Sequence, residues 1–241
     1  MQPPPNFSHR SETVSAARIE AKPSDLSVVI GLPTGSHMPW QTAMSLAATT
    51  KVCAEKGIEI DVACVAGSSI ITEARNQVVH QYLKSWASRL FWIDSDIAWQ
   101  PEDFLRLLVF SAQMDVVCAA YPRKRPDTRF TIKHTLPLER NALGCVKIEG
   151  TGLGFTVMRR EVVEKVVADC PRYIDEAQDM ELADVFRLDL VRGNHRRGED
   201  MAFFADIRAK GFDVWLDPSV RLGHVGTHVF IADPAAALGL K

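Results

Sequence analysis

Two aspartates two residues apart, Asp94 and Asp96 in "FWIDSDIAWQPEDF", stand where an apolar run stops. Carboxylates two apart at a strand end can face the same way, and hard oxygen ligands suit Mg²⁺ or Mn²⁺. An ion held there would bridge the two phosphates of a nucleoside diphosphate and stabilise it as it departs. The competing reading is a turn, with one of the aspartates capping the backbone ahead of Pro101. The triplet alone does not choose, since a chain of this length shows D-x-D by chance about once.

Other residues have the right types for the same chemistry. Glu199 and Asp200 open a helical pattern, "GEDMAFFADIRAKG". Acids at a helix N-terminus are favourable without any function, but the same dipole keeps Asp200 ionised, as a general base must be. His224 lies between glycines in "RLGHVGTH" and is a candidate metal ligand beside a carboxylate site, with His228 as its competitor. Arg75 and Asn76, in "EARNQVV", are placed either to bind phosphate and orient Asp96 or simply to make helix-face contacts. Arg123, Lys124 and Arg125 form a basic loop: a clamp for a diphosphate or an anionic acceptor, or a solvated charge run. Gly150, Gly152 and Gly154 alternate in "EGTGLGF", which signals close approach of backbone to a sugar or a tight strand crossing.

These residues need a frame. Strand and helix signals alternate from Leu26: "LSVVIGLP", a helix ending near Gly57, "EIDVACVAG", a helix over "SSIITEARNQVVHQYLKS" capped by Ser69 or Thr72, "RLFWID", a helix beginning "QPEDF", then "DVVCAAYP". That order predicts a mainly parallel sheet with helices on both faces. In such sheets ligands bind at the carboxyl ends of the strands. The loops at Pro33–His37, Ala66–Ser69 and Asp94–Asp96 therefore belong to one rim. The second half adds short strands at "RFTIKH", "CVKIEG", "GLGFTVMRR", "FRLDLV", "FDVWLD" and "VRLGHVG", with helices at "REVVEKVVAD" and after Gly198. The acidic stretch from Tyr173 to Val185 reads as a mobile loop. The whole is a mixed α/β sheet, one domain over 25–241 behind a flexible N-terminal arm, 1–24.

Composition excludes some classes. A net charge of -2 gives no electrostatic footprint for nucleic acid, and no apolar run is long enough to span a membrane. "GLPTGSHMPW" carries neither a dinucleotide fingerprint nor a phosphate-binding P-loop. The five cysteines lack C-x-x-C spacing and read as buried, reduced thiols. With an N-terminus lacking an apolar signal core, this predicts a cytoplasmic protein, with peripheral attachment to a membrane left open.

Taken in order, "SVVIGLPT", "ITEARNQVV", "LFWIDSDI", "GTGLGFTVMRREV" and "GEDMAFFADIRAKGFDVWLDPSVRLGHVG" resemble nucleotide-sugar-dependent glycosyltransferases of the GT-A fold, in particular the family 2-like group. The resemblance runs from about Leu26 to His228. It implies a metal-dependent transfer of a hexosyl or N-acetylhexosaminyl group from a nucleoside diphosphate donor, UDP in preference to GDP, to a carbohydrate, lipid-linked or protein hydroxyl. It implies Mn²⁺ or Mg²⁺ on Asp94, Asp96 and His224, with Asp94 and Ser95 also against the donor's ribose or sugar. Asp200 would be the base of an inverting displacement and Glu199 its neighbour on the acceptor or donor sugar, though retention stays open. Pro33 and Thr34 would hold the nucleobase, and Arg75 and Asn76 would lie under the nucleotide. The alternatives are a non-catalytic sugar or nucleotide-binding module and a sugar-nucleotide pyrophosphorylase, whose usual Arg and Lys after the first strand are missing here.

Overall fold

The computed structural model describes residues 22, 25–125, 127, 129–187, 190–191 and 195–240. The arm expected over 1–24 lies outside them apart from residue 22. The first half runs β1 (Val28–Thr34), α1 (Trp40–Glu55), β2 (Ile60–Ala66), α2 (Ile71–Leu83), β3 (Arg89–Ile93), β4 (Ile97–Ala98), α3 (Pro101–Phe110) and β5 (Val116–Cys118). The second half runs β6 (Val146–Ile148), β7 (Phe155–Arg159), α4 (Arg160–Val167), β8 (Arg172–Asp175), β9 (Met180–Ala183), β10 (Leu190–Val191), β11 (His195–Arg196), α5 (Glu199–Ala209), β12 (Val214–Leu216), β13 (Gly223–Val225), β14 (Val229–Ile231) and α6 (Pro234–Ala237).

The central sheet has seven strands in the order β2-β1-β3-β7-β5-β12-β6. β1 pairs in parallel with β2 and β3, and β12 with β5; β7 is antiparallel to both its neighbours, as is β6 to β12. Five strands therefore run one way, and β7 and β6 run against them. Both faces are covered, because successive residues of a strand point to opposite sides. Val29, Leu90 and Trp92 pack with Val78 of α2, Val162 of α4 and Phe203 of α5. Val28, Ile30, Phe91 and Ile93 pack with Cys53 of α1 and Phe104, Leu107 and Leu108 of α3. A second sheet, β14-β13-β4, stands at the end of β3.

Several expectations change. The stretch expected to be a mobile loop is the antiparallel hairpin β8–β9. It is pinned to α2: Gln77 Nε2 donates to Asp175 Oδ2 at 2.9 Å and Asn76 Nδ2 to the Tyr173 hydroxyl at 3.2 Å. "RFTIKH" is not a strand but two isolated bridges, Phe130 to Pro122 and Lys133 to Gly150. The strand expected across "FRLDLV" survives as Leu190–Val191, with residues 188–189 outside the described set. Helix α2 starts from Ile70 with no side-chain cap, so neither Ser69 nor Thr72 caps it. Cys64 is exposed because β2 is the sheet's edge, whereas Cys53, Cys118 and Cys145 are buried free thiols and Cys170 is half-buried. No described helix is long and apolar enough to cross a membrane.

Glycine at position 31 lets α2 lie on β1. A Cβ there would come within 2.7 Å of Val78 Cγ1 and 3.1 Å of the Trp92 ring. Gly31→Ala overpacks this contact, and we expect a loss of about 1–3 kcal/mol in urea unfolding; an unchanged midpoint would show that α2 is not seated this closely.

Candidate active site

The carboxyl ends of β1, β2 and β3 meet the start of α5 around a cleft of about 390 Å³. Its walls include Pro33, Thr34, Ser68, Ser69, Arg75, Asp94, Ser95, Asp96, Tyr121, Glu199, Asp200 and His224. A second cleft of about 360 Å³ adjoins it, with Arg123, Thr131, Thr151, Gly152 and Met201 in its walls. Tyr121, Glu199, Asp200 and His224 line both. The three rim loops expected from the strand order do converge.

Arg75 is the centre of the first cleft's wall. Its side chain is 3% exposed, and it pairs with Asp94 and Glu199 at 3.2 Å each and more closely with Asp200. Burial works against its charge, but Asp200, Asp94 and Glu199 outweigh that and hold the guanidinium more firmly protonated than usual. The reciprocal effect on Asp200 is incomplete. Burial pushes its pKa up to about 6; Arg75 pulls it down, and Asp94 and Glu199 push it up further. Gly198 is the N-cap of α5 and offers no side-chain cap, and the first helical turn presents Glu199 and Asp200 to the cleft on the positive end of the helix.

Asp94 and Asp96 both line the first cleft but take different partners. After Ile93 the chain leaves the strand in a turn, closed by Ile97 N–H donating to Asp94 O at 3.1 Å, so strand alternation no longer applies. Asp94 Oδ1 accepts from Arg75 at 3.2 Å and Oδ2 from the Tyr121 hydroxyl at 2.9 Å. Both oxygens of Asp94 thus have protein donors, from Arg75 and Tyr121.

Asp96 sits with His224 instead. β13 pairs with β4, and Val225 N–H donates to Asp96 O at 2.8 Å, which fixes the two side chains side by side. His224 Nδ1 lies 2.8 Å from the Pro122 carbonyl, so that nitrogen carries the proton. In the neutral ring Nε2 then turns a lone pair on Asp96 Oδ1, 3.5 Å away. In that state two acceptors face each other, an arrangement relieved by a proton on Nε2 or by a metal cation between them. Asp96 Oδ2 accepts from Lys124 Nζ at 2.5 Å. Burial works the other way, yet the His224 ring, when Nε2 carries a proton, and Lys124 hold Asp96 below the usual carboxylate range. Among the described residues no three His, Cys, Asp or Glu side chains converge as a complete metal cage. The Asp96–His224 pair would suit a divalent ion only if further ligands came from phosphate and water. His228 stacks on Phe230, ring centroids 3.8 Å apart, and does not line the cleft.

Of the other expected residues, Pro33, Thr34 and Ser95 line the first cleft, and the Thr34 hydroxyl has no partner among the described residues. Arg75 reaches Asp94 rather than Asp96. Asn76 is turned away: it is 2% exposed, and its Oδ1 accepts the Val185 and Phe186 N–H groups at 3.1 and 2.9 Å, which fastens the chain leaving the hairpin.

Tyr121 was not singled out in the sequence. Its hydroxyl donates to Asp94 and accepts from Gly154 N–H at 3.2 Å, and its ring stands edge-on to His224 at 4.9 Å. A Cβ on Gly152 would lie 2.5 Å from that hydroxyl, and one on Gly154 would lie 2.2 Å from Asp94. The glycine alternation thus clears space for Tyr121 and Asp94, and it was the one available signal. Replacing Arg75 with methionine would leave three carboxylates facing one another, at a cost of about 3–5 kcal/mol. The cost should be larger at pH 8 than at pH 5, where protonation relieves the repulsion; equal losses in denaturant unfolding would show that Arg75 acts by packing alone.

No protein-family model matches the chain, and no curated protein matches it in sequence. Among solved structures, GalNAc-T7, determined with UDP, GalNAc and Mn²⁺, overlays with a TM-score of 0.53 at 10% identity, covering 83% of this chain and 44% of that one. TarS of S. aureus overlays with a TM-score of 0.46 at 13% identity, covering 79% and 58%. A glycosyltransferase involved in glycosylation of the major capsid of PBCV-1 overlays with a TM-score of 0.31 at 14% identity, covering 58% and 64%. The chain spans less than two thirds of each of these proteins. The likeness to GalNAc-T7, together with the mixed seven-stranded sheet, establishes the fold: it is that of the GT-A glycosyltransferases.

Proposed function

We propose that the chain is a metal-dependent glycosyltransferase that moves a sugar from a nucleoside diphosphate donor in the first cleft to an acceptor hydroxyl in the second. The observation that carries this reading is the position of Asp200, which lines both clefts with a pKa lifted towards neutrality. A base that takes a proton from one substrate while the other departs must stand at their junction.

Charge supports the metal. Asp94, Asp96, Glu199 and Asp200 line the first cleft, and the Arg75 guanidinium with the Lys124 ammonium on Asp96 balances only part of that charge, so a diphosphate would be better held there with an added cation. Asp96 and His224 would hold Mn²⁺ or Mg²⁺, which supplies charge stabilisation for the leaving diphosphate. GalNAc-T7 is solved with UDP and Mn²⁺, which makes UDP, ahead of GDP, and Mn²⁺ the first ligands to test. Pro33 and Thr34 at the end of β1 offer the nucleobase an edge, and Ser95 and Asp94 offer the ribose or sugar polar contacts. Asp200 accepts the acceptor proton, the hydroxyl oxygen bonds to the anomeric carbon, and the bond to the diphosphate breaks with its electron pair leaving on the diphosphate. One displacement of this kind inverts the anomeric centre. Glu199, on the same helix turn, lines the acceptor cleft beside it. The acceptor is a carbohydrate, lipid-linked or protein hydroxyl.

Mn²⁺ with UDP should raise the melting temperature of the wild type and not that of Asp96→Ala; equal shifts with and without metal would remove Asp96 from the site. Asp200→Asn should keep the UDP–Mn²⁺ shift and lose about 10²–10⁴-fold in turnover. Because the base works ionised, wild-type kcat/KM should fall as pH drops through about 6. An acid limb at the ordinary aspartate range, near 4, would assign the proton transfer elsewhere. UDP–Mn²⁺ binding without turnover on any acceptor would favour the binding-module reading.

A further inference from the structure

The four residues after β5 and its tail, Tyr121 to Lys124, each face the site. Tyr121 donates to Asp94, Pro122 O takes the His224 N–H, Arg123 lines the second cleft, and Lys124 reaches Asp96. The first two contacts fix the backbone from which Lys124 extends. Its stem crosses Gly226, where a Cβ would lie 3.2 Å from Lys124 Cδ, so the second glycine of "GHVG" gives the side chain its path to the carboxylate.

The Lys124–Asp96 pair is well placed and only partly buried, with side chains 36% and 33% exposed. Ion pairs this open are weak and exchange readily. The ammonium sits on one oxygen of Asp96 while His224 Nε2 faces the other. A divalent ion shared by Asp96 and His224 would meet a positive charge already on the same carboxylate, and the two repel. The flexible four-carbon stem lets the ammonium swing away, and its compact charge suits a phosphate oxygen nearby.

Resting on the metal-dependent reading above, we propose that Lys124 is an exchangeable counter-ion for Asp96. It holds the carboxylate when no divalent ion is bound, yields it to the ion, and then faces the negative charge of the donor diphosphate. No covalent bond is made or broken: the hydrogen bond to Lys124 gives way to coordination of the ion by the same carboxylate.

The test is Mn²⁺ titration calorimetry, without nucleotide, on the wild type, Lys124→Met and Lys124→Arg. Removing the competing cation should tighten Mn²⁺ binding in Lys124→Met roughly five- to tenfold, whereas Lys124→Arg should stay near the wild type. With Mn²⁺ saturating, UDP should bind Lys124→Met several-fold more weakly. A variant that merely distorts the site weakens both. In the wild type, Mn²⁺ should also raise the acetylation rate of Lys124, followed by peptide mass spectrometry. Unchanged or weaker Mn²⁺ binding in Lys124→Met, or unchanged acetylation, overturns the exchange while leaving the metal reading standing. Unchanged UDP affinity overturns the diphosphate contact. Absence of Mn²⁺ binding in both wild type and Lys124→Met overturns the metal reading and the exchange with it.

Discussion

A buried guanidinium is the constraint around which this molecule is arranged. Arg75 is almost wholly shielded from water, and a charge in that position is tolerable only with close partners. Those partners come from two distant segments: Asp94 from the turn after β3, and Glu199 and Asp200 from the first turn of α5. Their convergence ties the two halves of the chain together at the strand ends. It also leaves the cluster negative, since three carboxylates share one positive charge. Burial, and after it that surplus, keeps Asp200 easier to protonate than an ordinary aspartate, and the surplus makes the cleft hospitable to cations.

The helix that carries Arg75 is held on three sides. Gly31 brings it down onto β1, Asn76 satisfies the backbone of Val185 and Phe186, and Gln77 secures the β8–β9 hairpin. Three consecutive polar residues are therefore buried, each with a different partner. Polar groups inside a protein persist when they are hydrogen-bonded, and here they set the position of α2 against the site. The hairpin that looks from its acidic composition like a solvated loop is part of that support.

Much of the frame was legible in the chain. The alternation of apolar runs and amphipathic stretches located β1, β2, β3, β5 and the main helices, and the rule that ligands collect at strand carboxyl ends named the rim; the two-residue β4 was too short to show. The failures have physical reasons. β7 enters between β3 and β5 in the opposite direction, and strand order is a matter of long-range pairing that local periodicity does not carry. Asp94 and Asp96 were expected to face the same way because alternation was extended three residues beyond β3 into a turn. Asn76 looked like a neighbour of Arg75 in the site, but a helix turns 100° per residue, and that rotation points its amide at the hairpin instead. Tyr121 carried no motif, and only the gaps left by Gly152 and Gly154 betray it.

From residue types and spacing alone came the alternating α/β class, the acidic character of the rim and the identity of most groups that line it. The folded molecule decided which of them touch. Asp96 belongs with His224 because backbone hydrogen bonds between β4 and β13 bring them together, and Asp94 belongs with Arg75 and Tyr121 because a turn aims it there. Such partnerships depend on distances between residues far apart in the chain, which periodicity and composition do not encode.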